Sequence, residues 1–340
     1  MGQPTIKDVA KIAGVSISTV SRVMNKSKPV SPEAQRKVED AINKLGFKPN
    51  ELARSLVMRK SNSIGILIKD IGIDYMAQMV RGAEEIGRMY QYDILLTSTY
   101  GELELEKKAV DFLSRKQVEG IIVVSEAIDP EIIVKIRDYK IPYMILDRFY
   151  DARDKQTVSI DYPVAMKQIT DYVLSLGNKK LLYLDGPIQY EFSRQKLAGF
   201  RESLAAHGLE DEKWEAEGTT IEDGYQAMEN LMKKKKALLD DLDCLVCAND
   251  DLALGVISYC YDHDIVLPDR FQLVGFGGSQ MAEVIRPKLT TLQIPNYDIG
   301  AVAMRMLTKV LKEKIQIEET TILPAQVIEG QTTRKRSKNS

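Results

Sequence analysis

Three cysteines and two histidines are few for a chain of 340 residues. So little cysteine leaves no disulfide framework and points to a reducing compartment. His207 and His263 lie far apart in polar surroundings, and neither has the local companions of a catalytic triad or a metal motif. Cys244 and Cys247 have the spacing of a metal or redox pair, but they fall in an apolar run that reads as a buried strand. Residues three apart in a strand face opposite sides, so such a pair cannot share an ion. No apolar stretch is long enough to span a bilayer. The polar N-terminus has no signal-peptide core, which predicts a cytoplasmic protein without a membrane partner. There is no GxxxxGK[ST] loop, and GFGGSQ (275–280) lacks the spacing of a dinucleotide fingerprint. No catalytic constellation emerges, so neither an enzyme, a bound metal nor a cofactor is expected.

What is present is unevenly placed. The net charge of −2 conceals twelve Lys/Arg against five Asp/Glu in residues 1–60, while the other 280 residues carry an excess of nine acids. A basic head on an acidic body suits a DNA-binding module attached to a domain that does not bind DNA.

The head itself reads TIKDVAKIAGVSISTVSRVMN (5–25). Thr5 is a natural N-cap, and Asp8, three residues on, completes a capping-box-like pair. Ile6, Val9, Ala10 and Ala13 repeat at helical spacing, and Gly14 supplies the stop. Ser16 caps a second helix, with Val20 and Val23 facing the first. Two short helices joined this way form a helix-turn-helix, whose second helix enters the major groove. Ser31-Pro32-Glu33 opens a third helix, lined by Ala34, Val38, Ile42 and Leu45 and ended by Gly46. Asn50 caps a further helix, ELARSLVM, too short to be stable alone. It is expected to form only against DNA and a partner chain.

From residue 63 onward, short apolar runs alternate with amphipathic stretches: SIGILI (63–68), YDILLT (92–97), EGIIVVS (119–125), PYMILD (142–147), KLLYLD (180–185), CLVCAND (244–250) and FQLVGFG (271–277). These read as buried parallel strands with crossover helices, one being Met76–Tyr90 with Met79, Ala83, Ile86 and Tyr90 in step. The fold class is therefore a small all-α helix-turn-helix head plus an α/β body of two doubly wound parallel-sheet lobes, like a periplasmic binding protein. The expected domains are a head at 1–48, a hinge helix and linker at 49–60, and an N-terminal lobe from 61–161 and 292–323. The C-terminal lobe takes 162–291 and 324–333, and 334–340 is a solvated tail beginning near TTRKRSKNS.

These segments together resemble the LacI/GalR family of bacterial transcription regulators, through TIKDVAKIAGVSISTVSRVMN, FKPNELARSL (47–56), CANDDLALGV (247–256) and QLVGFG (272–277). The resemblance turns Ile17, Ser18 and Arg22 toward base edges. Arg22 offers a fork matched to guanine, and Ile17 can touch a thymine methyl. Thr5, Ser16, Thr19, Ser21 and Asn25 become candidates for phosphate contacts, although Ser16 serves equally well as a cap. Leu56 resembles the hinge leucine that wedges between base steps from the minor groove, with Ala53 small enough to let the backbone sit close. Homodimerisation on a pseudo-palindromic double-stranded operator follows from matching two-fold symmetry. The absence of a leucine-heptad tail favours dimer over tetramer.

For the body, two effectors compete. Asp147, Arg194, Lys196 and Asn249 match or lie beside positions that contact small ligands in the family, so a sugar or sugar phosphate modulator is one expectation. Gly277 and Gly278 stand where the family has acids, which argues against tight sugar binding in the usual mode. MVRGAEEIGRMYQYDILL (79–96) and YDIGAVAMRMLTKVL (297–311) instead resemble the carbon-catabolite-control branch of the family. That resemblance implies a protein co-repressor, phosphocarrier HPr phosphorylated on serine, bound by Tyr297, Arg305 and Lys309. These three fall close to one helix face with Ala301 between them, while Val302 and Met306 can pack on the lobe. A solute-binding protein or an enzyme built on the same lobes fits less well.

Overall fold

The computed structural model describes residues 4–25, 28–47, 61–124, 129–146, 156–187, 191–315 and 320–334. The chain divides into two compact units, Met1–Ser61 and Asn62–Ser340.

The first unit holds α1 (Ile6–Ala13), α2 (Ile17–Asn25) and α3 (Pro32–Leu45). Its core is small: Val9, Ala10, Ala13, Val20, Val38, Ala41 and Phe47 are buried, and Ile6, Val23, Ile42 and Leu45 pack around them. With so little apolar area, the ends of the helices matter. The Thr5 amide and hydroxyl both donate to the Asp8 carboxylate, at 2.8 and 2.7 Å. Those two bonds hold the Asp8 carboxyl below its ordinary range. Gly14 ends α1 in the left-handed region at φ 66°. Ser31 accepts from the Ala34 amide at 3.3 Å, with Pro32 in the first turn of α3.

The second unit contains two six-stranded sheets. The N-terminal lobe comprises β1 (Ser63–Ile68), α4 (Asp74–Met89), β2 (Asp93–Ser98), α5 (Leu103–Arg115), β3 (Gly120–Val124), α6 (Pro130–Asp138), β4 (Tyr143–Leu146) and β5 (Thr157–Ser159). The C-terminal lobe follows with α7 (Tyr162–Ser175), β6 (Leu181–Asp185), α8 (Glu191–Ala206), β7 (Glu212–Glu215), α9 (Ile221–Lys234), α10 (Lys236–Asp240) and β8 (Cys244–Cys247). It continues through α11 (Asp250–Asp262), β9 (Gln272–Gly277), α12 (Gln280–Val284) and β10 (Thr290–Gln293). The chain then returns to the first lobe with α13 (Asn296–Glu313) and β11 (Thr321–Ile322), and ends in the second with β12 (Gln326–Ile328). The sheet orders are β2-β1-β3-β4-β5-β11 and β7-β6-β8-β9-β10-β12, the same winding used twice. All neighbours are parallel except β10 with β12.

The seven apolar runs each contain a strand, for a direct reason: strands covered on both faces must be apolar throughout. One run behaves differently. YDILLT forms β2 at a sheet edge, half exposed rather than buried, and its Leu96 is 40% exposed. Five short strands (157–159, 212–215, 290–293, 321–322 and 326–328) have no apolar run to announce them, because pairing across the sheet rather than local patterning makes them. Leu292 and Gln293, expected in the N-terminal lobe, pair with Phe276 and Gly277 in the C-terminal sheet. Thr332 and Thr333 are buried rather than solvated. Thr332 Oγ1 accepts from the Thr290 amide and donates to the Leu273 carbonyl, and the Arg334 amide donates to Gln272 Oε1. Polar threonines can be buried here because distant groups supply their partners, backbone for Thr332 and the Thr290 hydroxyl for Thr333. Tyr90, expected to continue the buried stripe of α4, is 37% exposed at the helix end, under the Lys312 ammonium.

Cys244 and Cys247 do face opposite sides of their sheet, each packed in a different core. No group of three or more potential metal ligands occurs among the described residues, and no described helix is long and apolar enough to cross a membrane.

Candidate nucleic-acid interface and effector faces

The outer side of α2 carries the groups expected to meet DNA. Ile17 is 46% exposed, and Ser18 and Arg22 are exposed one turn apart. Among the described residues no hydrogen bond or ion pair takes up the Arg22 guanidinium. A side chain so placed and uncommitted is ready for a bidentate acceptor. Ser16 caps α2, accepting from the Thr19 amide at 3.1 Å. Its hydroxyl also lies 2.8 Å from both the Ser18 and the Thr19 hydroxyls. Ser21 is half-buried and has a partner. Asn25 is the last residue of α2, and its side chain lies outside the described residues, as do Ala53 and Leu56.

In the body, α13 is held by close backbone contact. A Cβ on Gly82 would run into the Tyr297 carbonyl, and one on Gly300 into that of Met79. Only glycine allows the two helix backbones to approach so closely. Ile299, Ala303, Met304 and Leu307 fill the buried side, and Val302 and Met306 pack at its margin. Arg305 and Lys309 are exposed one turn apart. Tyr297 is half-buried, and a hydrogen bond with Glu85 raises its pKa. Ala301, placed by spacing between these residues, is only 9% exposed, so the stripe is interrupted there. The α4 backbone covers that position: a Cβ on Gly82 would come within 3.0 Å of the Ala301 amide nitrogen.

The crevice residues are distributed unevenly. Asp147 lies outside the described residues. Arg194 is exposed and its Nε donates to Glu191 at 2.9 Å. Asn249 is the N-cap of α11, accepting from the Leu252 amide at 2.7 Å and donating to the Thr219 carbonyl at 3.0 Å. Lys196 is only 5% exposed. Its ammonium donates to the Ala248 carbonyl at 2.7 Å and lies 5.0 and 5.4 Å from the ring centres of Phe192 and Phe276. Tyr162 stacks near Phe276 and lies tilted against Phe192. The group sits at the carboxyl ends of β6, β8 and β9, where an open α/β sheet binds ligands.

Two buried acids in the same place escaped the sequence reading. Burial raises the Asp185 pKa, with Lys196 and the Gly186 amide acting the other way. Asp250 is 3% exposed, and burial raises its pKa against bonds from Thr291 (2.5 Å) and the Ser279 amide (2.6 Å). Asp250 was visible inside CANDDLALGV, but only folding brings Ser279 and Thr291 to it. Gly277 lies beside it at φ 144°, followed by Gly278 at φ 72°. A Cβ at Gly278 would come within 2.7 Å of the Gln293 Cα, and one at Gly277 would stand 3.4 Å from the Asp250 carboxylate. Their backbone and neighbours therefore favour glycine where the family resemblance has acids.

A helix-turn-helix head joined to a two-lobed body of the periplasmic-binding type defines a DNA-binding transcription regulator. Residues 5–50 match the model for bacterial regulatory proteins of the lacI family, and residues 170–333 match that for a periplasmic binding protein-like domain. Catabolite control protein A of Staphylococcus xylosus is 34% identical over 332 residues, covering 97% of this chain and 99% of that protein. The lac repressor dimer, solved bound to operator and the anti-inducer ONPF, has a TM-score of 0.87 at 22% identity, covering 97% of this chain and 99% of that one. Transcription regulator CcpA of Lactococcus lactis has a TM-score of 0.71 at 25% identity, covering 80% and 99%. The chain belongs to the lacI family of bacterial regulatory proteins.

Proposed function

We propose that this regulator controls genes of carbon metabolism from the cytoplasm, as a homodimer on a pseudo-palindromic operator, with HPr phosphorylated on serine as co-repressor. The observation that carries the co-repressor reading is the outer side of α13. Arg305 and Lys309 stand exposed one turn apart on a helix locked to its lobe, a rigid pair of cations suited to a phosphoserine dianion. The internal commitments of Lys196 and Asn249, together with glycine at 277 and 278, weigh against a sugar in the crevice.

Ile17, Ser18 and Arg22 read bases, and Thr5, Ser16, Thr19, Ser21 and Asn25 hold phosphates. Residues 49–60 form the hinge, with Leu56 wedged in the minor groove beside Ala53. Exposed apolar side chains near the β2 edge (Ile71, Leu96, Tyr100) and on α12 (Met281, Val284) support self-association.

The test is an operator titration with and without serine-phosphorylated HPr, repeated with Arg305→Ala. Enhancement in the parent that Arg305→Ala removes is the expected result. Absence of enhancement removes the co-repressor reading. Operator release by a specific sugar would favour the alternative, a sugar-responsive repressor whose ligand enters beside Asp147, Arg194, Lys196 and Asn249.

A further inference from the structure

The Ser16 hydroxyl has three polar neighbours: the Thr19 amide at 3.1 Å, the Ser18 hydroxyl at 2.8 Å and the Thr19 hydroxyl at 2.8 Å. A hydroxyl has one proton and two lone pairs. The amide can only donate, so it takes one lone pair of Ser16. The Ser16 proton then goes to one of the two neighbouring hydroxyls, and the remaining lone pair accepts from the other. Ser18 and Thr19 are thereby forced into opposite orientations. Whichever gives its proton to Ser16 turns only lone pairs outward, and whichever receives is left with a proton for an outside acceptor.

Contact with DNA breaks this symmetry. A phosphate oxygen accepts and cannot donate. If Thr19 meets a phosphate it must spend its own proton there, and it then receives from Ser16. Ser16 in turn receives from Ser18, and the exposed Ser18 hydroxyl faces the major groove as an acceptor only. In that groove adenine and cytosine present amino groups, whereas guanine and thymine present acceptors to the same approach.

We infer that Thr19, acting through Ser16, is a specificity-determining positioning residue, setting Ser18 to read an amino-bearing base, adenine or cytosine. This rests on the reading that α2 lies in the major groove with Ser18 at a base edge and Thr19 at a phosphate.

The full-length protein is tested on operators selected from a randomised library and then varied singly at each position. The parent is expected to prefer adenine or cytosine over guanine or thymine by about five- to tenfold at one half-site position, the size of a single hydrogen bond. Ser18→Ala should flatten that position alone. Thr19→Val keeps the shape but removes the hydroxyl, so Ser16 can give its proton to Ser18 and the preference should fall below about twofold. Thr19→Ser should restore it. A merely structural or phosphate-holding Thr19 would weaken all operators alike and leave the ratio unmoved, which would overturn the relay while keeping the base contact. If Ser18→Ala changes discrimination nowhere, the base contact itself fails, and the relay with it. A preference for guanine or thymine would also overturn the relay.

Discussion

The head leaves Arg22 and Ser18 exposed on α2, whereas the C-terminal lobe buries Lys196, Asp185 and Asp250 and satisfies them from within. Both regions place polar groups where their folds bind ligands, a helix-turn-helix in one case and the carboxyl ends of parallel strands in the other. The difference lies in commitment. The Arg22 guanidinium, without a partner among the described residues, has all its donors for an external acceptor, but the Lys196 ammonium already spends one on Ala248 beside two aromatic rings and has less to offer a ligand. A matching residue type at a family position therefore says less about ligand binding than whether its hydrogen bonds are already made.

The comparison can be broken most forcefully in the body. Gly300→Val would push α13 away from α4, and the full-length protein should lose roughly 3 kcal/mol or more of body stability, read from the fluorescence of Trp214, the single tryptophan. An unchanged unfolding midpoint would mean that the helices have room to spare. Arg22→Ala should act in the opposite way, lowering operator affinity about 10- to 100-fold while leaving that midpoint alone. An equal loss on random duplex would mark Arg22 as a phosphate contact instead.

Smaller effects sharpen the contrast. Ser31→Ala removes the cap of α3 and should cost the head about 1 kcal/mol, seen as faster amide exchange in α3 with Trp214 emission unaltered. Exchange rates equal to the parent's would show the cap to be dispensable. The least effect is expected from pH, where the two regions differ in sign. The lowered pKa of Asp8 contributes stability that is present above the ordinary carboxyl value, about 3.9, and lost as pH falls through its lower value. The raised pKa values of Asp185 and Asp250 do the reverse: their contribution is present below that value and lost as pH rises through the raised ones. Lowering the pH from 7 towards the ordinary carboxyl value should raise the urea midpoint reported by Trp214, and Asp185→Asn should lessen the rise. A midpoint that falls instead would contradict the assignment of these two acids.

Much of this molecule was legible in advance because its signals are local. Caps at Thr5, Ser16 and Ser31, stops at Gly14 and Gly46, and apolar runs for the interior strands all act within a few residues of themselves. The opposite facing of Cys244 and Cys247 followed from strand geometry alone. The candidate site was legible as a set of residue types, most clearly on α2, where short helices keep neighbours in sequence close in space.

The chain by itself determined a charged helix-turn-helix head, a twice-wound α/β body and the candidate side chains on α2. Tertiary structure alone decided that β2 lies at an edge, that Thr332 and Thr333 are interior, and that Lys196 and Asn249 serve their own lobe. It also decided that Asp250 meets Ser279 and Thr291, and that glycine is required at 278. In each case a deciding partner lies well outside the local segment, from 15 residues away (Gly278 and Gln293) to 161 (Tyr172 and Thr333), and a hydrogen bond or a close backbone contact over that separation exists only once the chain has folded.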